Sequence, residues 1–280
     1  MRVRRALPTA RRRMIGAWCF LDHFGPADVS GSGMRIGPHP HIGLQTVTWL
    51  LSGELLHRDS LGTVQPIRPG AVNLMTAGRG ISHSEESPQP RSPQIHGVQF
   101  WIALPDSARQ MAPAFEHHPK MPQLRVGGLQ VHLIAGELLG KRSPATVHTP
   151  LVGAGIEASA GTTATLPLDP AFEYGVIVTR GKAQVAGVAL SPGALAYLPA
   201  GHSEATVVTG AGDAGLVLVG GEPFPEQTLM WWNFVGRSKE ELARASRDWN
   251  AGVSYLGEVT GTDMPRLVAP LPPWAQEAPA

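Results

Sequence analysis

The sequence predicts an all-β protein made of two similar β-barrels in tandem, with one short helix near the C-terminus. Three observations carry this reading. Apolar segments are short and alternate with period 2, at 44–51, 96–104, 129–135, 174–179 and 214–220, the pattern of half-buried strands. Gly (33) and Pro (26) make up about a fifth of the 280 residues, above the usual share of roughly 12% but short of the range that marks disorder, so they are read as turns. A ten-residue segment also recurs: Pro69-Gly70-Ala71-Val72-Asn73-Leu74-Met75-Thr76-Ala77-Gly78 matches 192–201, Pro-Gly-Ala-Leu-Ala-Tyr-Leu-Pro-Ala-Gly. Each copy follows a strand that ends in a Gly-led turn, at Gly53 and Gly181, and each precedes a His-Ser-Glu, at 83–85 and 202–204. Two copies of one β unit imply two such units, expected at 1–128 and 129–280.

Along the chain, Arg2, Arg4, Arg5, Arg11, Arg12 and Arg13 make a basic N-terminus, read as a solvated terminal segment. The whole chain is balanced, with 23 Lys+Arg against 22 Asp+Glu. That excludes nucleic acid or an anionic membrane as an electrostatically driven partner. Cys19, the single cysteine, lies between Trp18 and Phe20 and reads as a small buried hydrophobe. A cytoplasmic location is expected, since there is no apolar run of membrane-spanning length and no secretory signal.

The sharpest chemical feature is Gly37-Pro38-His39-Pro40-His41-Ile42-Gly43. In an extended chain residues i and i+2 share a face, so His39 and His41 project together, and Pro40 suits a strand start or edge. His83 and Glu85 repeat the relation. Two such pairs on facing strands of one barrel would give three imidazoles and one carboxylate. That set suits iron(II), manganese, nickel, cobalt, copper or zinc rather than calcium or magnesium. Four protein ligands on a six-coordinate ion leave two positions open. The second unit has no such pair: the position matching His41 is Asp169, within Leu166-Pro167-Leu168-Asp169-Pro170. With only His202 and Glu204 there, it is expected to be metal-free.

Other polar residues carry weaker signals. His57 and Asp59, also i and i+2, either orient a ligand or hold a loop. Gln45, an even number of residues from His41, reads either as facing the cleft or as an amide at the edge of the core. His23 reads as a buried, hydrogen-bonded core residue, and His117 and His118, just before Pro119, as a surface turn. Phe100 and Trp101 read as core. Near the end, Ser238-Lys239-Glu240-Glu241 is a capping box, followed by Leu242, Ala245 and Trp249 at helical spacing, which predicts a helix over about 238–249. A Pro-rich tail follows (Pro265, Pro270, Pro272, Pro273, Pro279), with Trp274 as a candidate anchor.

Several segments together resemble the pirin family: 20–26 (Phe-Leu-Asp-His-Phe-Gly-Pro), 39–48, 53–55, 57–62 (His-Arg-Asp-Ser-Leu-Gly), 75–81 (Met-Thr-Ala-Gly-Arg-Gly-Ile), 99–105 and 230–235 (Met-Trp-Trp-Asn-Phe-Val). The likeness runs from about Arg5 to about Pro273. It implies two cupin (jelly-roll type) barrels with one metal, iron(II) foremost, in the N-terminal barrel, and ligands at His39, His41, His83 and Glu85. It implies a quercetin dioxygenase-like activity on flavonols and dioxygen, in which Glu85 turns from ligand to general base. The alternative that the family implies is a non-catalytic iron-binding regulator of a transcription factor or metabolic enzyme, with a protein partner. A metal-dependent sugar-phosphate isomerase is weaker, because no basic cluster accompanies the ligands.

Overall fold

The computed structural model describes residues 1–275; Pro279 of the expected tail lies outside them. Ten strands build the N-terminal half: β1 (Val3–Leu7), β2 (Trp18–Asp28), β3 (Arg35–His41), β4 (Leu44–Ser52), β5 (Leu55–Asp59), β6 (Val64–Ile67), β7 (Val72–Thr76), β8 (Ile81–Glu86), β9 (Gln94–Ala103) and β10 (Ala114–His118). They form a six-stranded sheet, β1-β2-β9-β4-β7-β10, and a four-stranded sheet, β3-β8-β5-β6. Pro40 sits in β3, an edge strand, where its missing N–H breaks no ladder.

The C-terminal half repeats this plan. One sheet orders Gln123–Val126, Leu129–Leu138, Leu151–Ala158, Ala214–Gly221, Glu173–Arg180 and Leu195–Leu198, with Lys141–Arg142 beside it. The other orders Thr163–Pro167, Glu204–Thr209, Ala183–Val185 and Val188–Leu190. The second sheet system therefore begins at Gln123, a few residues before 129. The repeated segment occupies equivalent places: β7 and Leu195–Leu198 each follow a turn on a left-handed glycine, Gly70 (φ 88°) and Gly193 (φ 98°). Each also pairs with the strand that ends in the Gly-led turn, β4 or Glu173–Arg180.

The halves meet sheet against sheet. On β4, Val47 and Trp49 face the other half while Thr46 and Thr48 turn inward, as period 2 requires. Val47, Trp49, Val98, Phe100 and Ile102 pack with Ile134, Ala135, Ile177, Val217 and Val219 in one buried cluster. Trp18, fully buried in it, donates Nε1–H to Gly220 O at 3.1 Å. Phe100 is thus core, as expected, and so is Cys19, whose burial pushes its thiol up to about 12.

The helix α1 spans Lys239–Ala251, with the Ser238 side chain accepting from Glu241 N and Gly252 closing it at φ 73°. Glu241 reaches the Arg237 N–H (2.8 Å) instead of the Ser238 N–H of a capping box, because it also pairs with Arg109. The tail crosses β3, where Leu267 N donates to Pro38 O. Trp274 anchors it through Nε1–H to Lys239 O and an edge contact with Trp231. The expectation of a solvated basic N-terminus fails in part: Arg5 pairs with Asp22, and Arg12 lies 3.5 Å over the Tyr197 ring, because Val3–Leu7 joins the sheet. His117 and His118 are half-buried in β10 rather than in a surface turn. Pairing with β7, which continues the sheet outward, overrides the local signal of Pro119. Among the described residues no helix is long and apolar enough to cross a membrane.

Candidate metal centre

The four-stranded sheet sets the site. β3 and β8 run antiparallel with His39 directly opposite His83, and β5 brings Asp59 opposite His83 and His57 opposite Glu85. Paired residues share a face, so His39, His83, Glu85, His57 and Asp59 all point toward the six-stranded sheet. A bulge between Ile36 and His39 re-aims the end of β3, a common device beside functional sites.

His39, His41 and His83 converge: one ring nitrogen from each lies within 4.8 Å of the other two, and all three residues are buried. The second ring nitrogen of each is engaged elsewhere. His39 Nδ1 meets Gly37 O at 2.9 Å, His41 Nδ1 meets Asn233 O at 3.0 Å, and His83 Nδ1 meets His57 Nδ1 at 3.4 Å. The Nε2 atoms are therefore those that face one another, 3.0 Å apart in the case of His41 and His83. Burial, the first cause for each ring, holds His39 down to about 4 and His41 and His83 well below the ordinary imidazole range. Three neutral imidazoles with free lone pairs and anchored outer nitrogens fit a divalent first-row transition ion.

Glu85 stands beside this trio but not within it. Its carboxyl is buried, accepts a long bond from Thr48 Oγ1 (3.4 Å), and is shifted upward by desolvation. The turn that serves His41 is costly. Trp232 adopts φ 51°, rare for a bulky residue, and the next residue presents its carbonyl to the histidine.

Opposite the trio lies a feature that the sequence did not reveal. Arg5, Asp22, Gln99, Thr48, Asn73 and His117 are successive cross-strand partners, one from each strand of the six-stranded sheet. Arg5 holds Asp22 in a bidentate pair (2.7 and 2.8 Å), Thr48 bonds Gln99 (2.9 Å), and His117 bonds Asn73 (2.7 Å). Only strand pairing could assemble this row, since its members are scattered over more than a hundred residues. The neighbouring row carries Phe20 and Trp101, stacked at 4.0 Å, with the Trp101 and His41 ring centroids 5.1 Å apart at an interplanar angle of 75°. Trp101 is buried as expected, yet it faces the site.

Gln45 is not on the cleft side. Gly43, at φ 69°, breaks the alternation after His41, and Gln45 faces the other half, bonding Thr76 Oγ1 and Thr146 O. His23 is buried as read, with Nε2 2.7 Å from His96 Nε2. In the C-terminal half the inward positions are Leu166, Leu168, Ala205 and Val207, within one apolar cluster. His202 and Glu204 are exposed. Four residues separate Gly78 from His83 but none separates Gly201 from His202, so the second His-Ser-Glu lies at the turn leading into Glu204–Thr209 instead of within the strand, as 83–85 do in β8.

Two facing sheets per half, doubled in tandem, with an imidazole cluster in one half, define a two-domain cupin. The chain belongs to the pirin family: the Pirin model matches residues 1–102 and the Pirin C-terminal cupin domain model residues 154–254. A Pseudomonas aeruginosa protein provisionally named quercetin 2,3-dioxygenase is 49% identical, with 99% of this chain and 87% of that one covered. A pirin-like protein of Caulobacter vibrioides is 39% identical over 92% and 91%. The crystal structure of a quercetin 2,3-dioxygenase from Acinetobacter baumannii superposes with a TM-score of 0.93 at 46% identity, covering 97% of this chain and 90% of that one.

Proposed function

We propose that the protein is a metal-dependent dioxygenase acting on flavonols such as quercetin, with one ion held by His39, His41, His83 and Glu85. The observation that carries this reading is the contrast between the two halves. The N-terminal interior places three neutral imidazoles and a buried carboxyl against a polar row, while the equivalent C-terminal interior is filled with aliphatic side chains. The names of relatives 46–49% identical over nearly the whole chain add support for the substrate class.

A divalent ion, iron(II) foremost, would supply Lewis acidity toward a chelating 3-hydroxy-4-carbonyl and electron transfer to dioxygen. The chain supplies the rest. Burial raises the proton affinity of Glu85, which suits it to take the flavonol 3-hydroxyl proton, and Thr48 steadies the acceptor oxygen. Phe20 and Trp101 give an apolar wall for a planar ring, and the buried surroundings exclude bulk water.

The test is oxygen uptake by iron-loaded protein given quercetin, with an anaerobic control. Uptake coupled to ring opening is the expected result. Ring opening without dioxygen, or no uptake with any flavonol by metal-replete protein, would overturn the assignment.

A further inference from the structure

We infer that Asp59 and His57 form a proton-ordered relay to His83 that sets how electron-rich this one imidazole is, and so the redox poise of iron held in the centre. The inference rests on the metal centre proposed above.

His39 and His41 are backed by neutral backbone carbonyls, Gly37 O and Asn233 O. His83 is not. Its Nδ1 meets His57 Nδ1 at 3.4 Å, and His57 Nε2 meets Asp59 Oδ2 at 3.0 Å. Asp59 is itself fixed, because Oδ1 accepts from Leu61 N (2.9 Å) and Thr63 N (3.1 Å) and its side chain is fully buried. Each proton then has one place. A carboxylate only accepts, so the hydrogen lies on His57 Nε2. Holding an ion through Nε2 requires His83 to carry its hydrogen on Nδ1, and that hydrogen is accepted by the bare Nδ1 that His57 keeps once its own hydrogen is on Nε2. That tautomer frees His83 Nε2 as a lone pair facing His41 Nε2.

The arrangement is built into the sheet. Asp59 is the direct cross-strand partner of His83, and His57 is stacked on Phe115 at 4.5 Å and 25°. Among the described residues no Arg or Lys pairs with Asp59; neighbouring Arg58 pairs with Glu86. The full negative charge therefore bears on His83 through two rings. A more basic ligand stabilises iron(III) more than iron(II) and lowers the midpoint potential of the one-electron couple. Asp59 and His57 are positioning residues for the metal, not groups that touch substrate.

The experiment uses the full-length protein loaded anaerobically with iron(II). The midpoint potential is read by mediated redox titration with the iron(III) EPR signal as readout, and iron(II) affinity by chelator competition. Asp59→Asn keeps the shape and one acceptor oxygen but turns an amide N–H toward His57, which forces the hydrogen onto His57 Nδ1 against His83. The potential should rise, by about 59 mV for each tenfold loss of iron(III) over iron(II) affinity, and iron(II) binding should weaken by about 10- to 100-fold. His57→Phe keeps the stack on Phe115 and removes the acceptor. It should shift both quantities in the same direction, and it decides the matter if Asp59→Asn does not fold by circular dichroism. Wild-type potential and affinity in the folded variants would overturn the relay alone. Failure of wild-type protein to bind iron would overturn the centre and the relay together.

Discussion

The Nε2 atoms of His41 and His83 stand 3.0 Å apart although 42 residues separate them in the chain. Both rings are buried and have their outer nitrogens engaged, so two lone pairs face each other across this gap, an arrangement that a shared cation relieves. Replacing His83 or His39 with Ala should therefore remove most bound metal while the sheets stay folded, because the large apolar clusters lie elsewhere. Elemental analysis with far-ultraviolet circular dichroism checks this. Full occupancy in either variant would exclude that histidine as a ligand.

Glu85→Gln separates binding from proton transfer. Gln keeps the size of the side chain and can still accept from Thr48, but it cannot take the substrate proton. Quercetin-dependent oxygen uptake should fall by about 10²–10⁴ when measured on protein loaded with excess metal, which the three histidines retain more weakly without the carboxylate. Undiminished uptake would remove Glu85 as the base and leave the metal site standing.

Stability of the metal-free protein should depend on acid pH. His39 is held down to about 4 by burial, and so is His23, by burial and then by the charges of His96 and Arg4. The unfolded chain has ordinary imidazoles near ~6.5, so between about 6.5 and 4 the unfolded state binds the extra protons. Their contribution is fully present above that window and is lost as pH falls through it. Urea midpoints at pH 7.5 and pH 5 give the comparison, with the lower midpoint expected at pH 5. Equal midpoints would contradict the depressed values.

Gly43→Ala tests the link between the centre and the hairpin formed by Leu229–Trp231 and Phe234–Gly236. Gly43 has φ 69°, and a Cβ there would lie 2.1 Å from Val235 O, closer than any side chain tolerates. The hairpin that presents Asn233 O to His41 would have to retreat, breaking the Val235 N–H bond to Ile42 O as well. We expect weaker metal binding and a lower thermal midpoint. Wild-type metal affinity in this variant would show that His41 needs no carbonyl behind it.

The sequence by itself determined the two-unit plan, the helix and the meeting of His39, His41 and His83. All three rest on local relations: period 2 along a strand, a turn motif repeated 123 residues apart, a Ser before Glu241, and histidines at i and i+2. Where those relations were carried across a break in the backbone they failed. The cleft-facing reading of Gln45 counted alternation through Gly43, whose left-handed turn resets the phase, and the core-edge amide is the reading that holds. His202 and Glu204 echo His83 and Glu85 in sequence, but the shorter connection after Gly201 leaves them at the exposed turn where Glu204–Thr209 begins. What only the tertiary structure decided is everything that depends on register between strands. The row from Arg5 to His117, Asp59 behind His57 behind His83, and the Asn233 carbonyl behind His41 each join residues distant in the chain. Hydrogen-bonded pairing fixes which of them meet, and no periodicity within one strand encodes its neighbour's register.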